Sequence, residues 1–156
     1  MTEGTTTTQD PQSGTRPRRI VVGVDGSDES TDALRWALAE ARLKDSQVVA
    51  VAAWHWPASA IGMVPLTDLD LSSAARSAAQ SAVDDAVQDG DVPVEVRVAE
   101  GMPAPVLLKA ASEADLLVVG SRGHGAFSGL LLGSVSQHCV SHATCPVVVV
   151  RSGRAA

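Results

Sequence analysis

Apolar and polar positions change period along the chain, and each change marks an element. Residues 20–24 (IVVGV) form a short β-branched run that Asp25-Gly26-Ser27 interrupts. Leu34, Ala37, Leu38 and Ala41 then recur at i, i+3, i+4 and i+7, one face of a helix. Residues 47–54 (QVVAVAAW) read as a buried strand, and residues 55–68 (HWPASAIGMVPLTD) as a long connection punctuated by Pro and Gly. The spacing predicts an Ala-rich helix over 69–89, ended by Gly90. Val92, Val94, Val96 and Val98 alternate with polar residues and Pro93, a strand with one wet face, at an edge or starting beside the proline. Residues 103–113 predict a helix with Pro103 or Pro105 in its first turn, and 115–120 (DLLVVG) a fourth strand. After a glycine-rich stretch come a helix over 134–142 and a last strand from Pro146 to Arg151 (PVVVVR). Strands and helices that alternate in this way, with unbroken apolar runs in most strands, predict an α/β fold. Its core is an open, twisted, five-stranded parallel sheet with helices on both faces.

The remaining residues bound that fold. Residues 1–17 are polar and rich in Thr, Gly and Pro, and are expected to be a disordered tail. A folded domain over 18–152 and a short tail over 153–156 follow. With 156 residues there is room for one core, and no internal repeat is visible. Aromatic residues make up 3% of the chain, so the core is built from Val, Leu, Ile and Ala. The net charge of −6 argues against nucleic acid as a partner, which needs a concentrated cationic surface. The cluster Arg16, Arg18 and Arg19 reads as solvated charge ahead of the first strand. No apolar run is long enough to span a bilayer, and no apolar leader opens the chain. Two cysteines, Cys139 and Cys145, are too few for a disulfide framework. A cytoplasmic protein with reduced thiols is the expectation.

The candidate chemistry lies between Gly120 and Ser136 (GSRGHGAFSGLLLGSVS), after a strand and before a helix, where ligands of open α/β sheets bind. Ser134 and Gln137 have capping-box spacing, which predicts Ser134 as the helix N-cap. A helix N-terminus presents unsatisfied N–H groups to an anion. Gly120, Gly123 and Gly133 permit close backbone approach, and Ser121, Ser134 and Ser136 add hydroxyls. Arg122 is the one arginine or lysine in this stretch, and the chain has only two lysines, Lys44 and Lys109. A Walker-type loop is excluded because no lysine is present, and a dinucleotide-binding G-x-G-x-x-G because the glycine spacing is reversed.

The spacing G-x2-G-x9-G-[ST], met by Gly120, Gly123, Gly133 and Ser134, resembles the ATP-binding branch of the universal stress protein family. VVGVDGS at 21–27 is similar to the family's first strand, and the segments at 101–123 and 131–150 to its later elements. The resemblance covers about residues 18–152. It implies a fold like that of the adenine nucleotide alpha hydrolases and an ATP site. There Asp25 contacts the base or ribose, the backbone near Ala52 and Ala53 meets adenine, and Gly101 and Pro103 close over the sugar. The ribose and phosphate contacts map to Gly120, Arg122, Gly123, Gly133, Ser134, Val135 and Ser136, with Mg²⁺ carried by the phosphates. It further implies a homodimer through the last strand. A nucleotide-binding regulatory module is the first expectation. A slow ATP-hydrolysing or phosphate-transferring enzyme, or a cyclic-AMP-binding member of the family, is the alternative. His138 and His142 lack the H-E-x-x-H pattern and read as a packed or surface pair, and His124 as a loop residue or a phosphate contact.

Overall fold

The computed structural model describes residues 16–58, 70–124 and 129–153. Along them run β1 (Arg19–Gly23), α1 (Asp28–Lys44), β2 (Gln47–Trp54), α2 (Leu71–Ala86) and β3 (Val94–Glu100), then α3 (Pro103–Ala111), β4 (Leu116–Gly120), α4 (Ser134–His142) and β5 (Val147–Val150). The five strands pair in parallel in the order β3-β2-β1-β4-β5. This is the expected open α/β sheet. Residues 1–15 of the expected tail over 1–17, most of the connection after β2 (59–69), residues 125–128 and residues 154–156 lie outside the described residues.

Two apolar layers hold the sheet. Ile20, Val22, Val48, Ala50, Ala52 and Val118 face α1 and α2, whose inward stripe is Ala33, Leu34, Ala37, Leu38 and Ala41, then Ala79, Ala82, Val83 and Ala86. Val21, Val49, Val51, Leu117 and Val119 face the other way, onto Leu107, Ala111 and Cys139 of α3 and α4. Each interior strand buries both faces, so its sequence reads as a continuous apolar run rather than an alternation. Alanine at so many helix contacts lets the helices approach the valine-rich sheet closely. Helix α1 has a full set of end signals. The Ser27 side chain accepts from Ser30 N–H at its start, Asp28 and Glu29 occupy its first turn, and Arg42 and Lys44 its last. Asp45 closes it in the left-handed conformation at φ 49°.

Several expected boundaries move, each for a local reason. Helix α2 stops at Ala86, short of the expected 89, because Val87 is already extended and the Asp91 carboxylate takes the Gln88 N–H. Strand β3 begins at Val94, not Val92, since Pro93 brings no N–H to the ladder that starts at the Val48–Val94 pair. It then continues through Glu100, opposite Trp54. Asp115 is not the start of β4; its carboxylate accepts the Arg19 N–H at 2.8 Å. Arg16 donates to the Glu113 carbonyl at 2.7 Å and lies 3.4 Å from Asp115, so two of the first described residues are tied to the same corner.

The connection pattern decides where a ligand can enter. From β1 the chain moves outward through β2 to β3, then returns past β1 to β4 and on to β5. The two directions put α1 and α2 on one face and α3 and α4 on the other. At the reversal, between β1 and β4, the loops after the two strands diverge and leave a crevice.

Candidate functional site

A cavity of about 480 Å³ opens at that crevice. Its floor is apolar, with Val51, Ala53, Leu107 and Val119 among the lining residues. One wall is the turn after β1, with Asp25; the other is the segment after β4 and the start of α4.

The start of α4 carries no side-chain cap. Its N-cap is Gly133, not the expected Ser134: the Gly133 carbonyl accepts the first helical bond, from Gln137 N–H at 3.0 Å. The predicted capping box therefore does not form, because Ser134 is already inside the helix. With glycine as the cap there is no side chain to satisfy the first-turn donors. The other three helices differ. Side chains of Ser27 and Asp70 cap α1 and α2, and α3 begins with Pro103 and Pro105, which have no N–H to satisfy. Helix α3 also lacks a side-chain cap, but its prolines leave a single first-turn N–H, that of Ala104; α4 presents three, those of Ser134, Val135 and Ser136, and all three residues line the cavity.

The loop behind these donors is pinned from several sides. Ser121 N–H donates to Val150 O at 2.8 Å, and Gly133 N–H to Ser121 O at 2.6 Å. The Ser136 hydroxyl lies 2.9 Å from Ser121 O and 3.0 Å from Gly133 O, so it staples the loop to the helix. Glu29, in the first turn of α1, accepts from the Ser121 hydroxyl at 2.9 Å and from Arg122 N–H at 2.5 Å. Its second oxygen lies 3.3 Å from the Arg122 guanidinium. A Cβ on Gly120 would sit 3.1 Å from the Glu29 backbone carbonyl, a tight contact at the point where α1 meets the end of β4.

Asp25 closes the opposite wall. Oδ1 accepts from Ser27 N–H at 2.9 Å and from the Ser27 hydroxyl at 2.5 Å, and Oδ2 from His124 N–H at 3.3 Å. A Cβ on Gly123 would lie 2.5 Å from Oδ2, so any larger residue there would push the Asp25 carboxylate aside. Burial pushes the Asp25 pKa up, but the hydrogen bonds from Ser27 and His124 outweigh it and hold the carboxyl below its ordinary value.

Of the residues expected at the site, Asp25, Ala53, Pro103, Gly120, Arg122, Gly123, Gly133, Ser134, Val135 and Ser136 are brought together around the cavity. Three are not among its lining residues. The Ala52 side chain belongs to the core beneath α1 and α2, since alternate strand residues face opposite ways. Gly101 forms the turn before α3, at φ 139°, and donates its N–H to Trp54 O at 2.8 Å. Ser121 is buried behind the loop, its hydroxyl engaged by Glu29. Sequence reading missed the floor residues Val51, Leu107 and Val119, which are indistinguishable in sequence from core positions. It also missed Glu29, for which a first-turn acidic residue is an ordinary helix signal. His138 and His142 stack at 4.3 Å on the exposed side of α4, and Trp54 and Trp56 meet edge to face at 6.2 Å; none of the four lines the cavity.

Chemically, the arrangement can hold an elongated ligand with an apolar part over the sheet and an anionic part at α4. Among the described residues, no cavity hydroxyl is hydrogen-bonded to a histidine, and no cluster of three or more His, Cys, Asp or Glu could hold a metal ion. Any divalent cation would have to come with an anionic ligand.

Comparison with known proteins gives a consistent result. The model of the universal stress protein family matches residues 17–151. A universal stress protein of Mycobacterium tuberculosis is 36% identical over 136 residues, covering 85% of this chain and 45% of that protein. The chain thus spans about half the length of the mycobacterial relatives it matches. A universal stress protein solved in complex with cAMP is 30% identical, with a TM-score of 0.58, covering 87% of this chain and 98% of that one. The universal stress protein of Archaeoglobus fulgidus in complex with dAMP is 26% identical, with a TM-score of 0.60, covering 85% and 96%.

Proposed function

The chain belongs to the universal stress protein family, and from that premise we propose that it is a nucleotide-binding regulatory module that takes ATP in the cavity between β1 and β4. The observation that carries this reading is the start of α4, whose three uncapped N–H groups line a cavity with an apolar floor. Adenine lies over Val51 and Ala53 of β2, with Asp25 on the base or ribose side. The phosphates lie against Ser134, Val135 and Ser136 N–H, with Arg122 beside them. Mg²⁺ enters with the phosphates. The two relatives solved with cAMP and dAMP support an adenine nucleotide in the corresponding crevice. The first of these also favours a second reading, in which cyclic AMP is the resident ligand.

Isothermal titration of the purified protein with ATP, ADP, AMP, cyclic AMP and GTP tests the proposal. One adenine nucleotide per chain is expected, with GTP clearly weaker. Saturable binding of cyclic AMP much tighter than of ATP would select the second reading. A preference for a non-adenine ligand would sink both.

The same reading includes a cytoplasmic location and a homodimer formed through β5. No helix among the described residues is long and apolar enough to cross a membrane. Strand β5 pairs with β4 on one side and with no other described strand. Its four valines are each only half-buried, and a second copy of the chain would cover them.

A further inference from the structure

We propose that Glu29 is a positioning residue of the phosphate cradle, its two oxygens having separate tasks: Oε2 holds the loop after β4, and Oε1 holds the Arg122 guanidinium until a phosphate displaces it. The proposal rests on the nucleotide-binding reading above. Glu29 and Arg122 are distant in sequence, joined where α1 abuts the end of β4, at the close approach of Gly120 to the Glu29 backbone. The bonds to Oε2 are the shorter ones, 2.9 Å from the Ser121 hydroxyl and 2.5 Å from Arg122 N–H. Those to Oε1, from Arg122 Nε and Nη2, are both 3.3 Å. The guanidinium is thus held loosely. Its side chain keeps 39% of its surface exposed, against 15% for Glu29, and Arg122 lines the cavity while Glu29 does not.

A carboxylate so close to the cradle would repel a nucleotide phosphate if it were free. In this structure the guanidinium neutralises it. When a phosphate arrives at α4, the guanidinium can turn to it, because a fork of N–H donors matches a phosphate at least as well as a carboxylate. Glu29 keeps its place through the Ser121 hydroxyl and the Arg122 peptide N–H, so the loop does not collapse when the ion pair is lost. Binding is then an exchange of ion pairs, and the wild-type affinity for phosphate carries the cost of breaking the first one.

Glu29→Gln separates the two tasks, since its amide oxygen can take the place of Oε2 while its NH₂ cannot hold a guanidinium. We expect E29Q to bind ATP about two- to fivefold more tightly than wild type, the range of a partly exposed ion pair. Adenosine, which has no phosphate, should bind both proteins equally. Adding Arg122→Gln to E29Q should remove the gain. Amide hydrogen exchange on the ligand-free proteins reads the other oxygen: the Arg122 N–H should exchange faster in Glu29→Ala than in wild type, and remain protected in E29Q. Equal ATP affinities for wild type and E29Q would overturn the proposal, as would an equal gain for adenosine. Equal exchange in E29A and wild type would overturn the loop-holding role. If wild-type protein binds no adenine nucleotide, the underlying reading fails and the ion-pair exchange with it, and the exchange data still decide the role of Oε2.

Discussion

Asp25 works against its surroundings to remain ionised. Its carboxylate is partly buried, which disfavours charge, yet donors from Ser27 and His124 converge on its two oxygens. A carboxyl with a folded pKa below its unfolded value adds stability above the unfolded pKa, and that stability is lost as the pH falls through the folded one. Asp25 therefore steepens acid unfolding below about pH 4, where unfolded aspartate is already more than half protonated. Asn at this position can still accept from Ser27 and cannot titrate. The expected outcome for Asp25→Asn is lower stability than wild type at pH 7, because the charge and the acceptor for His124 N–H are lost, with a shallower loss below pH 4; denaturant melts across the acid range follow both. Parallel acid limbs in the two proteins would show that the carboxylate is not linked to folding. Glycines 120 and 123 are explained at this same scale, since each stands where a methyl group would meet Glu29 or Asp25.

Among the helices, α4 stands out by what its first residue lacks. A helix gains from a side-chain acceptor at its N-cap, and α1 and α2 each have one. Gly133 leaves α4 without that stabilisation and its first-turn donors without a side-chain acceptor. The position has room: a Cβ there would come no nearer than 3.4 Å to another atom, an ordinary contact. Gly133→Asp should therefore let the protein cap its own helix. Its stability is expected to hold or rise by a few tenths of a kcal/mol, the usual difference between Gly and Asp at an N-cap. ATP binding should fall by more than tenfold, since the new carboxylate occupies the anion's place and repels it. Thermal melts with parallel titrations check the pair of outcomes, and unchanged affinity would remove α4 from the phosphate site.

For the molecule as a whole, the two sheet edges differ. Strand β3 alternates half-buried valines with exposed polar residues, and Pro93 precedes it, features that discourage pairing with another chain. Strand β5 is four valines in a row, none of them fully buried, with Val148 and Val150 packed on one core layer and Val147 and Val149 on the other. An edge of that composition invites a partner strand. Light scattering should report twice the 16.0 kDa chain mass at micromolar concentration. Val149→Lys should shift that value towards the monomer, and a monomeric wild type would overturn the proposed interface.

Fold class was legible in the chain because parallel, doubly covered strands must be apolar along their whole length, and α1 shows its heptad-like stripe and both ends plainly. The glycine spacing from Gly120 to Gly133 likewise marked one wall of the cavity, with close approaches at Gly120 and Gly123 that a side chain would crowd. What the sequence could not decide is which apolar residues would line a cavity rather than a core. Val51, Leu107 and Val119 read like their buried neighbours until the strand order reverses between β1 and β4 and leaves space above them. Nor could it pair Glu29 with Arg122, because that contact depends on two elements meeting across the sheet. The choice of Gly133 over Ser134 as the helix cap has the same origin. Local spacing favoured the serine, but the bond from Gly133 N–H to Ser121 O sets where the helix begins. Local patterns determine elements because periodicity and end signals act within a few residues. The site belongs to the tertiary structure because its walls come from segments about a hundred residues apart.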